Sequence, residues 1–312
     1  MILVGGENLM DMIQMPADGT DTVFRAVPGG SPYNVALALG RQGIPTGYLT
    51  PISSDGHGVR LAERLSNAGV KLLGGRPNAP TSLAVVTLQG GLPTYAFYRE
   101  GTAERQLCWD RLREAVGPDI EALHLGSFTF IEESDSALWS RLQDVCGRSG
   151  IALSFDPNIR PSLVKDEDRY RACITQALRC IDVLKLSDED LSWLYPSDSE
   201  EGALNRLVES AKAAVIVLTR GAEGASVYHQ NQWYDQPADQ VIALVDTVGA
   251  GDTFMASMLS WLSGQGLLKK LYEITLEQKL DMIRFAGRAA AINCGRNGCD
   301  PPSSAELRAD HR

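Results

Sequence analysis

Apolar positions along the chain follow two alternating rhythms. Short, nearly continuous apolar runs occur at MILVGG (1–6), TGYLTPI (46–52), EALHLGS (121–127), IALSFDP (151–157), DVLKLS (182–187) and AAVIVLT (213–219). Each is the length of a strand, and its lack of polar alternation marks burial on both faces. Between them, apolar residues recur every three to four positions in SPYNVALALGRQG (31–43), GVRLAERLSNAG (58–69), SALWSRLQDVCGRSG (136–150) and EEGALNRLVESA (200–211), which predicts helices. Buried strands separated by helices predict an α/β fold, a doubly wound and mostly parallel sheet covered on both faces.

Two stretches break the rhythm. Residues 8–28 and 80–100 read as strands with no helix between them, and LAVVTLQGGLPTYAFYR (83–99) carries Gly-Gly-Leu-Pro at its centre, as a hairpin does. A few antiparallel strands leaving the core would form a small β lid able to close a site against water. No repeat, low-complexity tract or linker divides the chain, so residues 1–312 read as one domain carrying that lid. Apolar lid strands need cover, which predicts a homodimer through the lid.

A net charge of −10 argues against nonspecific nucleic-acid or anionic-membrane binding. The opening MILVGGE reaches a carboxylate too early for a signal peptide, and no apolar run approaches the roughly 18 residues that span a bilayer. Six dispersed cysteines without a C-x-x-C pair read as reduced thiols, so the expected location is cytoplasmic. The four histidines share no motif and receive no catalytic role.

The densest local chemistry lies in VDTVGAGDTF (245–254), read as the end of an apolar strand leading into a helix from about Asp252 to Ser263. A helix start offers unpaired N–H groups and the positive end of the dipole, and Gly249 and Gly251 allow close backbone approach. Together these make an anion hole. Asp252 inside it is either a helix cap or a base that takes a proton from a hydroxyl beside a phosphate. The pattern is not a P-loop, and no G-x-G-x-x-G follows the first strand.

DTVGAGDTF resembles the carboxy-terminal signature of the ribokinase-like (pfkB) carbohydrate kinases, and PGGSPYNVALALGRQG (28–43) is similar to the family's other signature. SFDPNIRP, LKLSDEDL and LTRGAEGASVY lie between them in the family's order. The resemblance implies a ribokinase-like three-layer fold and transfer of the γ-phosphate of ATP to a sugar's primary hydroxyl. It implies Asp252 as general base, with Gly249, Ala250 and Gly251 as the anion hole and Arg160 near the γ-phosphate or the substrate. Asp11, Gly29, Gly30 and Asn34 would bind the sugar, with Phe97 or Arg99 (rather than Tyr98) facing it from the lid. Lys185, Ser187, Thr219, Gly221, Gly224 and Asn293 would meet the nucleotide, although Gly221 and Gly224 also suit a plain structural turn. Magnesium would be held through water near Asp190 or Glu189, where relatives carry N-x-x-E and this chain has Ser187 and Asp190. Potassium would be held near Asp246 by the carbonyls of Val248, Arg296 and Gly298, with Pro302 standing where some relatives use a serine.

GENLMDM (6–12), AFYREGTAERQL (96–107) and HLGSF (124–128) are similar to segments of bacterial fructokinases, so D-fructose is the expected substrate. A 2-keto-3-deoxygluconate kinase is the alternative, ahead of a ribokinase. Readings from other classes are a noncatalytic sugar-binding regulator, since fold does not fix function, and a Rossmann-type oxidoreductase, disfavoured by the missing glycine fingerprint.

Overall fold

The computed structural model describes residues 1–16, 22–89, 92–241 and 243–309. Its strands are β1 (Ile2–Gly5), β2 (Leu9–Met15), β3 (Val23–Gly29), β4 (Thr46–Tyr48), β5 (Lys71–Leu72), β6 (Ser82–Gln89), β7 (Leu92–Tyr98), β8 (Ala122–Gly126), β9 (Ala152–Asp156), β10 (Val183–Ser187), β11 (Val215–Thr219), β12 (Ala225–His229) and β13 (Gln232–Gln236). Its helices are α1 (Ser31–Arg41), α2 (Gly56–Asn67), α3 (Trp109–Glu114), α4 (Glu133–Arg148), α5 (Glu167–Leu178), α6 (Asp188–Leu194), α7 (Glu200–Ser210), α8 (Ala250–Gly264), α9 (Leu276–Cys294) and α10 (Ser304–Ala309).

Nine strands form one sheet in the order β13-β12-β11-β10-β9-β8-β1-β4-β5. The pairings from β11 through β5 are parallel, and β12 and β13 add an antiparallel hairpin at one edge. Alternate strand residues divide between two cores. Ile2, Val4, Val183, Val215 and Val217 pack with α1, α2, α8 and α9, whereas Leu3, Leu184, Leu186, Ile216 and Leu218 pack with α4 to α7. This is the three-layer, mostly parallel architecture the apolar runs predict. The β12–β13 hairpin was not predicted, because edge strands alternate polar and apolar residues weakly. Its turn is built on Gln230 and Asn231, both at positive φ (47° and 66°), as a two-residue turn of this hand requires.

A second, four-stranded sheet has the order β3-β2-β6-β7, built from the two stretches that broke the helical rhythm. The Gly90-Gly91 centre of the predicted hairpin, part of the 8–28 stretch (17–21) and His311 lie outside the described residues. The sequence reading expected antiparallel strands here, and the sheet is instead mixed. β2–β3 and β6–β7 are antiparallel, but β2 pairs with β6 in parallel, Leu9 opposite Ser82. β2 follows β1 after a link of three residues, 6–8, and β6 runs beside it in the same direction.

Strand order turns back between β1 and β8, with β1 continuing to β4 on one side and β8 to β9 on the other. The crevice beyond the carboxyl ends of such strands is where open α/β sheets place ligands.

Candidate active site

Helix α8 begins where its sequence permits a close anion. Gly249 takes the left-handed conformation (φ 75°), and no side chain caps this end. A Cβ on Gly249 would lie 2.5 Å from Cys299 Sγ, so both the backbone angle and the packing require glycine. The expected strand into this helix is absent. Residues 243–249 run as an irregular segment in which Leu244 and Val245 are exposed, and the backbone N–H groups of Val245 and Asp246 donate to the Cys294 carbonyl at the end of α9. Contact with a helix end, rather than a neighbouring strand, satisfies this backbone.

Asp252 lies in the first turn of α8 and is buried. Ser31 Oγ donates to its Oδ1 at 2.7 Å, and Asn34 Nδ2 donates to its Oδ2 at 2.8 Å. Burial raises its pKa, while Ser31, Asn34, Lys185 and Arg160 pull it back. The donors come from the first turns of α1, entered through Gly30 at φ 108° with Pro32 in the first turn. A Cβ on Gly30 would sit 2.6 Å from the Glu7 carbonyl, so the chain crosses here at glycine distance. Asn34 Oδ1 is buried without a protein partner.

Asp11 on β2 stands beside this cluster. A Cβ on Gly29 would lie 2.1 Å from Asp11 Oδ2, so this glycine, two residues beyond Asp11's strand partner Val27, makes room for the carboxylate. Burial raises the Asp11 pKa to about 6, with Arg160 opposing and Asp252 reinforcing. Asp11, Arg160 and Asp252 therefore share one electrostatic neighbourhood. The exposed guanidinium of Arg160 donates back to Asn158 Oδ1 at 2.6 Å, which orients its fork.

Lys185 closes the floor. Its buried Nζ pairs with Asp156 Oδ2 at 2.7 Å and lies 3.6 Å from where a Cβ on Gly251 would be, beneath the start of α8. Burial would lower its pKa, but Asp156 outweighs this and raises it, so the lysine stays charged. Burial lifts the Asp156 pKa to about 6.

Other residues read from the sequence prove to be engaged in structure. Ser187 Oγ caps α6 by accepting from the Asp190 N–H at 3.0 Å. Asp190 accepts from the Ile159 and Ser187 N–H groups at 2.8 and 3.2 Å, whereas Glu189 is exposed. Asn293 is fully buried, donating to the Val248 carbonyl and accepting from the Asp300 N–H, each at 2.9 Å. Gly224 (φ 108°) is held by its turn, since a Cβ there would meet the Gln236 carbonyl at 2.2 Å, while Gly221 faces open space. Thr219 Oγ1 donates to the Leu186 carbonyl at 3.3 Å. Asp246 ties two loops together by accepting from the Val248 and Gly298 N–H groups at 3.0 and 2.9 Å. The Arg296 side chain turns to Glu306 and the Asp300 carbonyl. On the small sheet, Phe97 packs edge-on against Phe128 at 5.5 Å between ring centroids, and Tyr98 is exposed. Arg99 is buried and paired with Glu104 at 2.7 Å. Among the described residues, no group of three or more His, Cys, Asp or Glu could hold a metal ion, and no helix is long and apolar enough to cross a membrane.

A cavity of about 420 Å³, lined in part by Asp239, Val241, Ala243, Ile292 and Gly295, lies alongside the segment leading to α8. Ser31, Glu7 and Asp156 were not singled out from the sequence. The available signals were a hydroxyl at the first position of a glycine-initiated helix and acids at or just beyond the ends of buried strands.

Comparison with known proteins gives the same picture over nearly the whole chain. The description "pfkB family carbohydrate kinase" matches residues 1–306. A fructokinase of Rhizobium leguminosarum bv. trifolii is 39% identical over 282 residues, covering 89% of this chain and 85% of that protein. Fructokinase-1 of Zea mays is 29% identical over 316 residues, covering 98% and 96%. A crystal structure of fructokinase with bound ATP from Xylella fastidiosa superposes with a TM-score of 0.89 at 26% identity, covering 99% of this chain and 97% of that one.

Fold and comparisons together define a sugar kinase, a phosphotransferase with an alcohol group as acceptor. The chain belongs to the pfkB family of carbohydrate kinases, and within that family it is fructokinase-like.

Proposed function

We propose that the chain transfers the γ-phosphoryl group of ATP to the hydroxymethyl oxygen of D-fructose, giving fructose 6-phosphate and ADP, with Asp252 as general base. One observation carries this reading: a buried carboxylate at an uncapped helix start, oriented by Ser31 and Asn34. The hydroxyl proton passes to Asp252 while the oxygen forms its bond to the γ-phosphorus. The bond from phosphorus to the β–γ bridging oxygen breaks, and ADP leaves with that electron pair. The N–H groups at Gly249, Ala250 and Gly251, the α8 dipole, Lys185 and Arg160 offset the charge on the transferring group.

Asp11 and the unpartnered Oδ1 of Asn34 are oxygen acceptors suited to sugar hydroxyls, with Gly29 and Gly30 allowing close approach. Phe97 covers the sugar from the small sheet, which acts as a lid within a single kinase domain. Arg99 is spent on Glu104, which leaves this arginine no free charge for an acid substrate's carboxylate and favours fructose over 2-keto-3-deoxygluconate. The cavity beside α9, next to exposed Leu244 and Val245, takes the nucleoside, and Thr219, Gly221 and Gly224 are kept as nucleotide contacts on the family resemblance alone.

Magnesium bound with the nucleotide would supply charge neutralisation to the phosphates and would need few protein ligands. Both Asp190 oxygens are occupied by backbone donors, so Glu189 is the carboxylate available through water. Both Asp246 oxygens are likewise spent on backbone donors, so Asp246 would shape the loop while the carbonyls of Val248, Arg296 and Gly298 would hold potassium. We place the enzyme in the cytoplasm.

A coupled ADP-release assay with fructose, 2-keto-3-deoxygluconate and ribose tests the reading. Fructose-dependent turnover is expected, and folded protein that turns over none of the three would defeat it.

A further inference from the structure

The base at Asp252 is held by a helix end that is itself held from elsewhere. Glu7 follows β1 and Phe128 follows β8, the two strands between which the sheet order turns back. Glu7 is 3% exposed. Its Oε1 accepts from the Ser31 N–H at 2.8 Å, and its Oε2 accepts from the Phe128 N–H at 3.2 Å. Ser31 then donates its hydroxyl to Asp252 Oδ1 at 2.7 Å. On the other side, the Phe128 ring meets Phe97 edge-on at 5.5 Å and carries the Arg99 guanidinium 4.5 Å from its centroid. One carboxylate thus spans the switch point and links the rings and guanidinium of the small sheet to the residue that aims the base.

Stability alone is a poor reason for this group. A buried carboxylate costs several kcal/mol unless strongly paired, and Glu7 has two neutral N–H donors while Glu104 repels it. Its favourable feature is its place at the start of α1, where an anion meets the helix dipole and fixes the first turn.

We propose that Glu7 is a positioning residue that sets the orientation of Asp252 through Ser31 and registers it to the lid through Phe128; this rests on the reading of Asp252 as general base. Movement of Phe97 and Arg99 over Phe128 is passed through the Glu7 carboxylate to the first turn of α1, and Asp252 Oδ1 follows the Ser31 hydroxyl.

The test measures kcat, both KM values and thermal midpoints for Glu7→Gln, Ser31→Ala and the double variant, with Asp252→Asn alongside. Each single variant should lose about tenfold in kcat, as small misplacements at a reacting centre do, with the ATP KM within about twofold of the parent. The double variant should lose little more kcat than the worse single, because both break one path, while the losses in thermal midpoint add. Ser31→Thr, which keeps the hydroxyl, should recover most of the kcat lost in Ser31→Ala. Parent-like kcat in Glu7→Gln, or a double variant showing the product of the single losses, overturns the positioning role. If Glu7→Gln fails to fold, parent-like kcat in Ser31→Ala overturns it equally. Parent-like turnover in Asp252→Asn removes the base reading itself, whereas its loss beside an unaffected Glu7→Gln removes only this inference.

Discussion

Asn34 Nδ2 donates to Asp252 Oδ2 at 2.8 Å, joining two residues 218 positions apart in the chain. With Ser31 on the other oxygen, the bond leaves the carboxylate no freedom to turn, so a hydroxyl approaching the start of α8 meets a fixed acceptor.

Asp252→Asn should therefore retain ATP and fructose binding and lose about 10²- to 10⁴-fold in kcat, the usual contribution of a positioned base. Calorimetric titration of both ligands, paired with steady-state turnover, checks this. Parent-like turnover would make Asp252 a mere helix residue.

Asn34→Ala removes a bond to the charged form of Asp252, and losing such a bond raises an acid's pKa. With Asp252 as the proposed base, its deprotonated form is the active one, so the acid limb of the kcat profile should move to higher pH than in the parent. The fructose KM should rise as well, since Asn34 Oδ1 is lost with it. An acid limb that stays in place or moves down would contradict the assignment.

Gly249→Ala forces an L residue to φ 75° and drives a methyl to 2.5 Å from Cys299 Sγ. Strain of this kind costs about 1–3 kcal/mol before the clash is counted. Thermal unfolding should show that loss, and kcat should fall by more than the unfolded fraction explains, because the anion hole opens.

Burial raises the Glu7 pKa from 4.5 to about 7. Between those values the folded protein binds the proton more tightly than the unfolded chain, so the contribution of Glu7 to stability falls as pH climbs through that window. The loss amounts to about 3 kcal/mol at most and is constant above it. Denaturant titrations of parent and Glu7→Gln from pH 5 to 8 should diverge in that sense, and parallel curves would exclude it.

Tyr95 and Tyr98 on β7 are 51% and 61% exposed, and Val23 on β3 is 49% exposed. Cover for these side chains by a second copy predicts a dimer in sedimentation, dissociated by Tyr98→Asp. A monomeric parent at working concentration would remove the dimer from the picture.

The order of strands and helices was legible because burial on two faces leaves an unbroken apolar run, and a covered helix leaves a three-to-four repeat. Six strand runs and four helices could be read directly from that contrast. The edge hairpin β12–β13 and the irregular segment before α8 were not legible in this way. An edge strand is half-solvated, and the apolar Leu244 and Val245 imitate a strand while remaining exposed. The motif residues at 249–252 stood out because glycines beside an acid at a helix start are rare without a backbone reason, whereas those at 28–34 stood out only through the resemblance to the family's other signature.

Sequence by itself determined the layers, the glycine-rich entry to α8 and the presence of an acid at that helix start, all consequences of neighbouring residues. Tertiary structure alone decided what those residues do. It placed Ser31 and Asn34 on Asp252, spent Arg99 on Glu104 and both Asp190 oxygens on backbone donors, and set Glu7 across the switch point. Most of these are hydrogen bonds or ion pairs between distant parts of the chain. Such partners are chosen by the packing of β1, β8, α1 and α8 around a common rim, and local sequence pattern carries no trace of that choice.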